Sequence, residues 1–433
     1  MNQSNNIKYK AMNIKYIHII VIFSFLSLNI NAQSRNYTSD TLSMGPGYAN
    51  DLFYSMSNGL ISSEPRSGWE LAFYTNAFSA GIIINEGVGV ELYTYPNGDT
   101  SNWTSIDTTG ISNWKRISNS PEYWEDGAFN RNALGHPDYG WGVYNMVTHG
   151  VTGDSLYIIN VPALGMKKLW IVNKMSVDNI YNIKFADLDG SNEEVVALDI
   201  KPFADKNFAY YSMETNELKD REPAEEWDIL FTKYIDLTYD NEGNPVEYLV
   251  TGATSNVDRY ASKYNSVSDD YEDWSAKPFD SLKNVIGYNW KSFDMGIFQW
   301  TIEDSTAFFV MNDADDVYKL VFTFWEGSGS GVFGLSKELI SVSFLNDELE
   351  SSTSLELYPN PATDWVNIKL DTDVSQEGEL VITDISGRVV YKETVRYNSN
   401  ANVRVETANL TKGLYLVIFN SSEHRKSAKF IVR

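Results

Sequence analysis

Two five-residue stretches, Trp69-Glu70-Leu71-Ala72-Phe73 and Trp227-Asp228-Ile229-Leu230-Phe231, repeat one pattern: Trp, Leu or Ile, and Phe at alternate positions with an acid between the first two. A side-chain period of two places the three apolar groups on one side of a β-strand and the acid on the other, so each stretch predicts a half-buried strand. The same order of neighbours surrounds both. Tyr54-Ser55-Met56 with Asn58 precedes the first, as Tyr211-Ser212-Met213 with Asn216 precedes the second. Asn85-Glu86-Gly87-Val88-Gly89-Val90-Glu91 and Asn241-Glu242-Gly243-Asn244-Pro245-Val246-Glu247 follow, read as strand-joining turns whose glycines take a positive φ. Next come Trp141-Gly142-Val143-Tyr144-Asn145-Met146 and Trp290-Lys291-Ser292-Phe293-Asp294-Met295, and then Tyr181-Asn182-Ile183-Lys184-Phe185 and Tyr318-Lys319-Leu320-Val321-Phe322. Five recurrences in one order predict a duplication. The expected architecture is all-β, with two tandem pseudo-repeat modules at 48–200 and 201–345 and a small β-sandwich behind them.

Composition agrees with a folded, multidomain chain. It has 433 residues, 43% hydrophobic and 14% aromatic, enough apolar surface for real cores. Acids outnumber bases 58 to 34, and the net charge of −24 repels a phosphate backbone, which excludes nucleic acid as an expected partner. Cysteine is absent, which removes disulfides, thiolate metal sites and cysteine nucleophiles together. The only histidines are His18, His136, His149 and His424.

The ends of the chain carry addresses. Lys8, Lys10 and Lys15 precede the apolar run Ile17 to Leu28 and the segment Asn29-Ile30-Asn31-Ala32, the pattern of a secretory signal peptide over 1–32, starting at Met1 or Met12. Residues 346–354 form a polar linker. From 355 to 433, short alternating runs separated by Pro, Asn, Ser and Gly predict a small antiparallel sandwich. Within it stand Tyr358-Pro359-Asn360-Pro361-Ala362, the turn Asp384-Ile385-Ser386-Gly387-Arg388, and Gly413-Leu414-Tyr415-Leu416-Val417. This tail resembles the type A C-terminal sorting domain of the type IX secretion system. The resemblance implies Sec export, recognition by the type IX machinery, and release of the cargo or its attachment to surface lipopolysaccharide.

The paired body blocks resemble the HmuY family of haem-binding proteins, with the motif order present twice. That resemblance implies haem as a cofactor, held between His or Met side chains, and an outer-membrane receptor as a partner. His149, His136 and Met146 are the candidate ligands. Asp187, Asp189 and Glu193 offer oxygen ligands at short spacing for calcium, although they do not complete a calcium-loop pattern. Trp103, Trp114 and Trp124 lie in polar loops and, if exposed, would provide platforms for glycans or partner proteins, the basis of an alternative adhesion reading. No nucleophile elbow, zinc-protease motif or phosphate loop occurs, so a non-enzymatic protein is expected.

Overall fold

The computed structural model describes residues 37–433 except 241, 304, 342–353, 372–375, 385–387, 398–400 and 422–424. The predicted signal peptide and linker residues 346–353 lie outside the described residues. The described chain is all-β, as its period-two patterning requires, and its helical segments are short pieces of 3-10 type, the longest Thr100–Ser105.

In chain order the body strands are β1 (Thr38–Ser43), β2 (Asn50–Ser55), β3 (Gly59–Pro65), β4 (Leu71–Tyr74), β5 (Ile82–Ile84), β6 (Glu91–Thr94), β7 (Arg116–Ile117), β8 (Gly142–Tyr144), β9 (Val151–Gly153), β10 (Tyr157–Val161), β11 (Gly165–Met175) and β12 (Ile180–Asp187). They continue as β13 (Glu194–Asp199), β14 (Phe208–Ser212), β15 (Glu217–Lys219), β16 (Ile229–Tyr239), β17 (Pro245–Ser255), β18 (Tyr260–Tyr264), β19 (Lys291–Asp294), β20 (Gln299–Ile302), β21 (Ala307–Met311), β22 (Val317–Trp325) and β23 (Val332–Ser341). The sheet β15-β14-β4-β5 covers the sheet β13-β12-β11-β10-β6-β7, and the two bury one core that includes Leu71, Phe73, Ile159, Ile171, Tyr181 and Tyr211. The sheet β17-β16-β2-β3 covers β1-β23-β22-β21-β18 over a second core with Leu52, Tyr54, Ile229, Phe231, Phe308 and Leu335.

These pairings correct the expected module boundaries. The first sandwich is built from β4 to β15, so Phe208 to Lys219, assigned by sequence to the second module, complete the first. The second sandwich takes β16 to β23 and is closed by β1–β3 from the start of the described chain. The cut between 200 and 201 therefore divides no sheet from another. Leu71 pairs Tyr211, and Ile229 pairs Tyr54, in matching register. Repetition in sequence sets a period; it does not state which copy a strand pairs with.

Of the remaining block pairs, one keeps its place and one shifts. Tyr181–Phe185 lies on β12 between β11 and β13, and Tyr318–Phe322 on β22 between β21 and β23, with β1 added beyond β23, so each block is the central strand of an antiparallel meander. Between β16 and β17, Asp240 donates to the Asn244 carbonyl and accepts from the Gly243 amide, with Gly243 at φ 81°. Asn85–Val88 instead follows β5 in a short helical turn, where the positive φ belongs to Gly89.

The outer faces of the two covering sheets meet. Trp124 packs with Trp69, Ala72 and Phe208 on one side and with Phe53, Trp227 and Leu230 on the other. The Arg221 guanidinium lies over the rings of Phe53, Trp69 and Tyr210, while Arg221 and Arg66 both pair with the buried Asp51. A buried carboxylate is tolerable here because two cations and the Thr232 hydroxyl satisfy it.

The tail forms a separate core. Its strands are β24 (Ser354–Tyr358), β25 (Trp365–Asp371), β26 (Gln376–Asp384), β27 (Val389–Tyr397), β28 (Ala401–Glu406), β29 (Gly413–Ser421) and β30 (Arg425–Val432). The sheets β24-β25-β28 and β27-β26-β29-β30 enclose Val366, Ile368, Leu380, Ile382, Tyr415, Val417 and Phe430.

Candidate functional site

The sorting residues gather where the tail begins and ends. Asn360 donates from Nδ2 to the Lys429 carbonyl at 3.0 Å and accepts at Oδ1 from the Ile431 amide at 3.0 Å, which ties the Pro-Asn-Pro loop to β30. Ala362 extends the contact, donating to the Ile431 carbonyl and accepting from the Arg433 amide. Tyr358 is exposed and accepts from Asn402 Nδ2 at 3.0 Å; Pro359 is exposed beside it. Gly413 opens β29 opposite Val432. In the Asp384 turn, Arg388 returns to the Asp384 carboxylate through its backbone amide and its Nε, while Gly387 lies outside the described residues. Proline supplies no donor, so the Asn360 side chain takes the place of a strand ladder here.

In the body, the structure brings the three candidate haem ligands onto one exposed flank. Tyr144, at the end of β8, hydrogen-bonds His149 Nδ1 at 2.8 Å, and its ring meets that of His136 edge-on at 5.6 Å. Met146 is 74% exposed on the same hairpin, beside Val147 at 88%. Apolar groups so exposed belong to no core. Haem burial is another matter: the two cavities described here hold about 60 and 150 Å³, both below the several hundred that a buried ligand of that size needs.

The expected calcium loop is already satisfied by the protein. Asp187 pairs with Lys167 and accepts from Ser191 and Asn192, Asp189 accepts from Ser191, and Glu193 pairs with Lys184 while accepting the Trp103 indole N–H at 2.8 Å. Their oxygens are spread among different donors, and among the described residues no group of three or more His, Asp or Glu is arranged to hold a metal ion.

The loop tryptophans are not open platforms. Trp103 is 6% exposed, Trp114 stacks edge-on to Tyr95, and Trp124 is held by its indole N–H on the Ser255 carbonyl at 2.8 Å. Large amphipathic rings here cap cores. Exposed apolar groups do occur on the β19–β20 hairpin, where Met295, Ile297 and Phe298 are 69%, 58% and 72% exposed. Of this tip the sequence singles out Met295 alone, as the repeat counterpart of Met146, and a repeated methionine reads as core filler.

Comparison with known proteins bears on the tail alone. No curated protein matches the chain. Among solved structures, dimeric latent PorU from Porphyromonas gingivalis aligns at 10% identity and a TM-score of 0.16, covering 81% of this chain and 31% of that one. Native alpha-2-macroglobulin from E. coli aligns at 8% identity and a TM-score of 0.16, covering 92% and 23%. The chain thus spans under a third of either protein, and likeness at this level identifies no fold. The body finds no support for its HmuY resemblance in these comparisons. No helix among the described residues is long and apolar enough to cross a membrane. Residues 356–433 match the secretion system C-terminal sorting domain family, so the chain ends in a type IX sorting domain and is exported to the cell surface or beyond it.

Proposed function

We propose that the body is a non-enzymatic binding module, carried outside the cell by its sorting domain, and that the Tyr144 flank is its contact surface, with haem as the ligand. One observation carries this reading: His136 and His149, on either side of β8, both contact Tyr144, with the exposed Met146 on the same segment. In the tautomer with its proton on Nδ1, His149 donates to the Tyr144 oxygen and leaves the Nε2 lone pair for iron, the usual way a second partner orients a ligating imidazole. Haemin titrated into the purified chain should give a saturable, shifted Soret band at micromolar protein, weakened by His149→Ala and by His136→Ala. Absence of the band removes haem.

The exposed tip Met295, Ile297 and Phe298 favours a second reading, adhesion to a partner surface. Silence with haemin together with retention on glycan arrays, lost in Phe298→Ser, would establish that reading in its place.

A further inference from the structure

Between the covering sheets β15-β14-β4-β5 and β17-β16-β2-β3 lies the cavity of about 60 Å³, room for a few water-sized groups. Its polar lining is unevenly used. Trp69 is 6% exposed and its indole N–H, which can only donate, has no acceptor. A buried donor left this way has given up water without gaining a partner, a deficit that an acceptor in the cavity would remove. Lys283 is 6% exposed, and its ammonium lies 4.5 Å over the Trp124 ring at the same cavity. The carboxylates, by contrast, are engaged. Asp51 is held by Arg66, Arg221 and Thr232, and Glu86 accepts the Ile235 amide at 2.9 Å and the Asn119 amide at 3.1 Å. Arg221, Lys233 and Lys283 line the cavity with Asp51 and Glu86, so the cations of the lining exceed its carboxylates by one, and Lys283 also feels the carboxylates of Glu86 and Asp236.

We propose that this cleft binds a small carboxylate of formate or acetate size, which accepts from the Trp69 N–H and faces the Lys283 ammonium. Position and charge act together. An acceptor there satisfies the indole, and the low-dielectric surroundings strengthen its attraction to the ammonium over what water would allow. The volume excludes anything much larger, so the site is separate from the surface flank around Tyr144 and does not depend on it.

Fluorine NMR of the full chain labelled with fluorotryptophan tests this directly. The Trp69 and Trp124 resonances, assigned through Trp→Phe variants, are followed while sodium acetate replaces sodium chloride at constant ionic strength. Saturable shifts of both, with half-saturation at about the millimolar level, are expected. Lys283→Met should weaken binding tenfold or more. Trp69→Phe, read at Trp124, keeps the ring but removes the donor and should weaken it several-fold. No saturable shift, equal shifts with chloride alone, or variants that titrate like the parent would each overturn the proposal. If Lys283→Met fails to fold, the Trp69→Phe titration decides.

Discussion

Glu222 is 3% exposed, and its carboxylate accepts from the Asn207 amide, the Phe208 amide and the Trp227 indole at 3.0, 3.1 and 3.3 Å. Burial outweighs these bonds and pushes its pKa from 4.5 up to about 7. The folded chain thus holds this proton more tightly than the unfolded chain does. Its contribution to stability is full below pH 4.5 and is lost as pH rises towards 7, about 3 kcal/mol in all. Urea midpoints taken from pH 4.5 to 7.5 should show that decline, and Glu222→Gln, with nothing to titrate, should flatten it; a parallel profile in the variant would refute the assignment. Two other acids behave unlike their sequence reading. Glu70 and Asp228, expected to face solvent, are buried, and each accepts one backbone amide from the opposing hairpin, Met213 at 2.6 Å and Met56 at 2.7 Å. The strands proper begin at Leu71 and Ile229, so Trp69 and Trp227 leave the face shared by Leu71 and Phe73 and pack between the sandwiches.

At the scale of elements, the contacts of β1–β3 decide how the body is assembled. Leu42, Met44, Leu52, Tyr54 and Met56 all enter the second core and none enters the first. At about 2 kcal/mol for each buried side chain, their removal costs about 10 kcal/mol, as much as the whole stability of an ordinary domain. A chain lacking residues 37–66 should therefore lose amide protection in β16 and β23, which these strands pair, while β10, β11 and β12 stay protected. Hydrogen exchange resolved by peptide reads the difference. Loss confined to β4–β12, the neighbours in sequence, would contradict the observed pairing. Close backbone approach also constrains β9: a Cβ on Gly153 would stand 1.7 Å from the Ile171 carbonyl oxygen, so no side chain fits there.

At the scale of the molecule, the two ends serve different tasks. The start of the described chain is woven into the body through β1–β3, whereas the tail buries its own core from its own seven strands. Removal of 355–433 should leave the circular dichroism of the body unchanged apart from the lost strands, yet keep the protein inside the outer membrane. Fractionation of cells expressing the shortened chain checks this, and its appearance at the surface or in the medium would show that another segment carries the address. The net negative charge belongs to the body, since acids and bases balance within 355–433. Export thus delivers an acidic module with exposed apolar groups both on strands, such as Tyr239 and Tyr248, and on loops, such as Val147 and Phe298.

The all-β class, the sandwich at the C-terminus and its sorting signature were legible in the sequence because each is written in contiguous residues: period-two runs, Pro-Asn-Pro, and short turn motifs. The pairing of strands was not. Tyr54-Ser55-Met56 and Tyr211-Ser212-Met213 are near copies, so local pattern gives no reason for either to join Trp69–Phe73 or Trp227–Phe231, and only long-range packing chooses. The meeting of His136 and His149 at Tyr144, the burial of Glu70 and Asp228, and the donor-lined cleft at Trp69 and Lys283 have the same origin. Each joins residues that are far apart along the chain or set by a turn whose geometry the neighbouring sheet imposes, and that information exists only once the sheets are stacked.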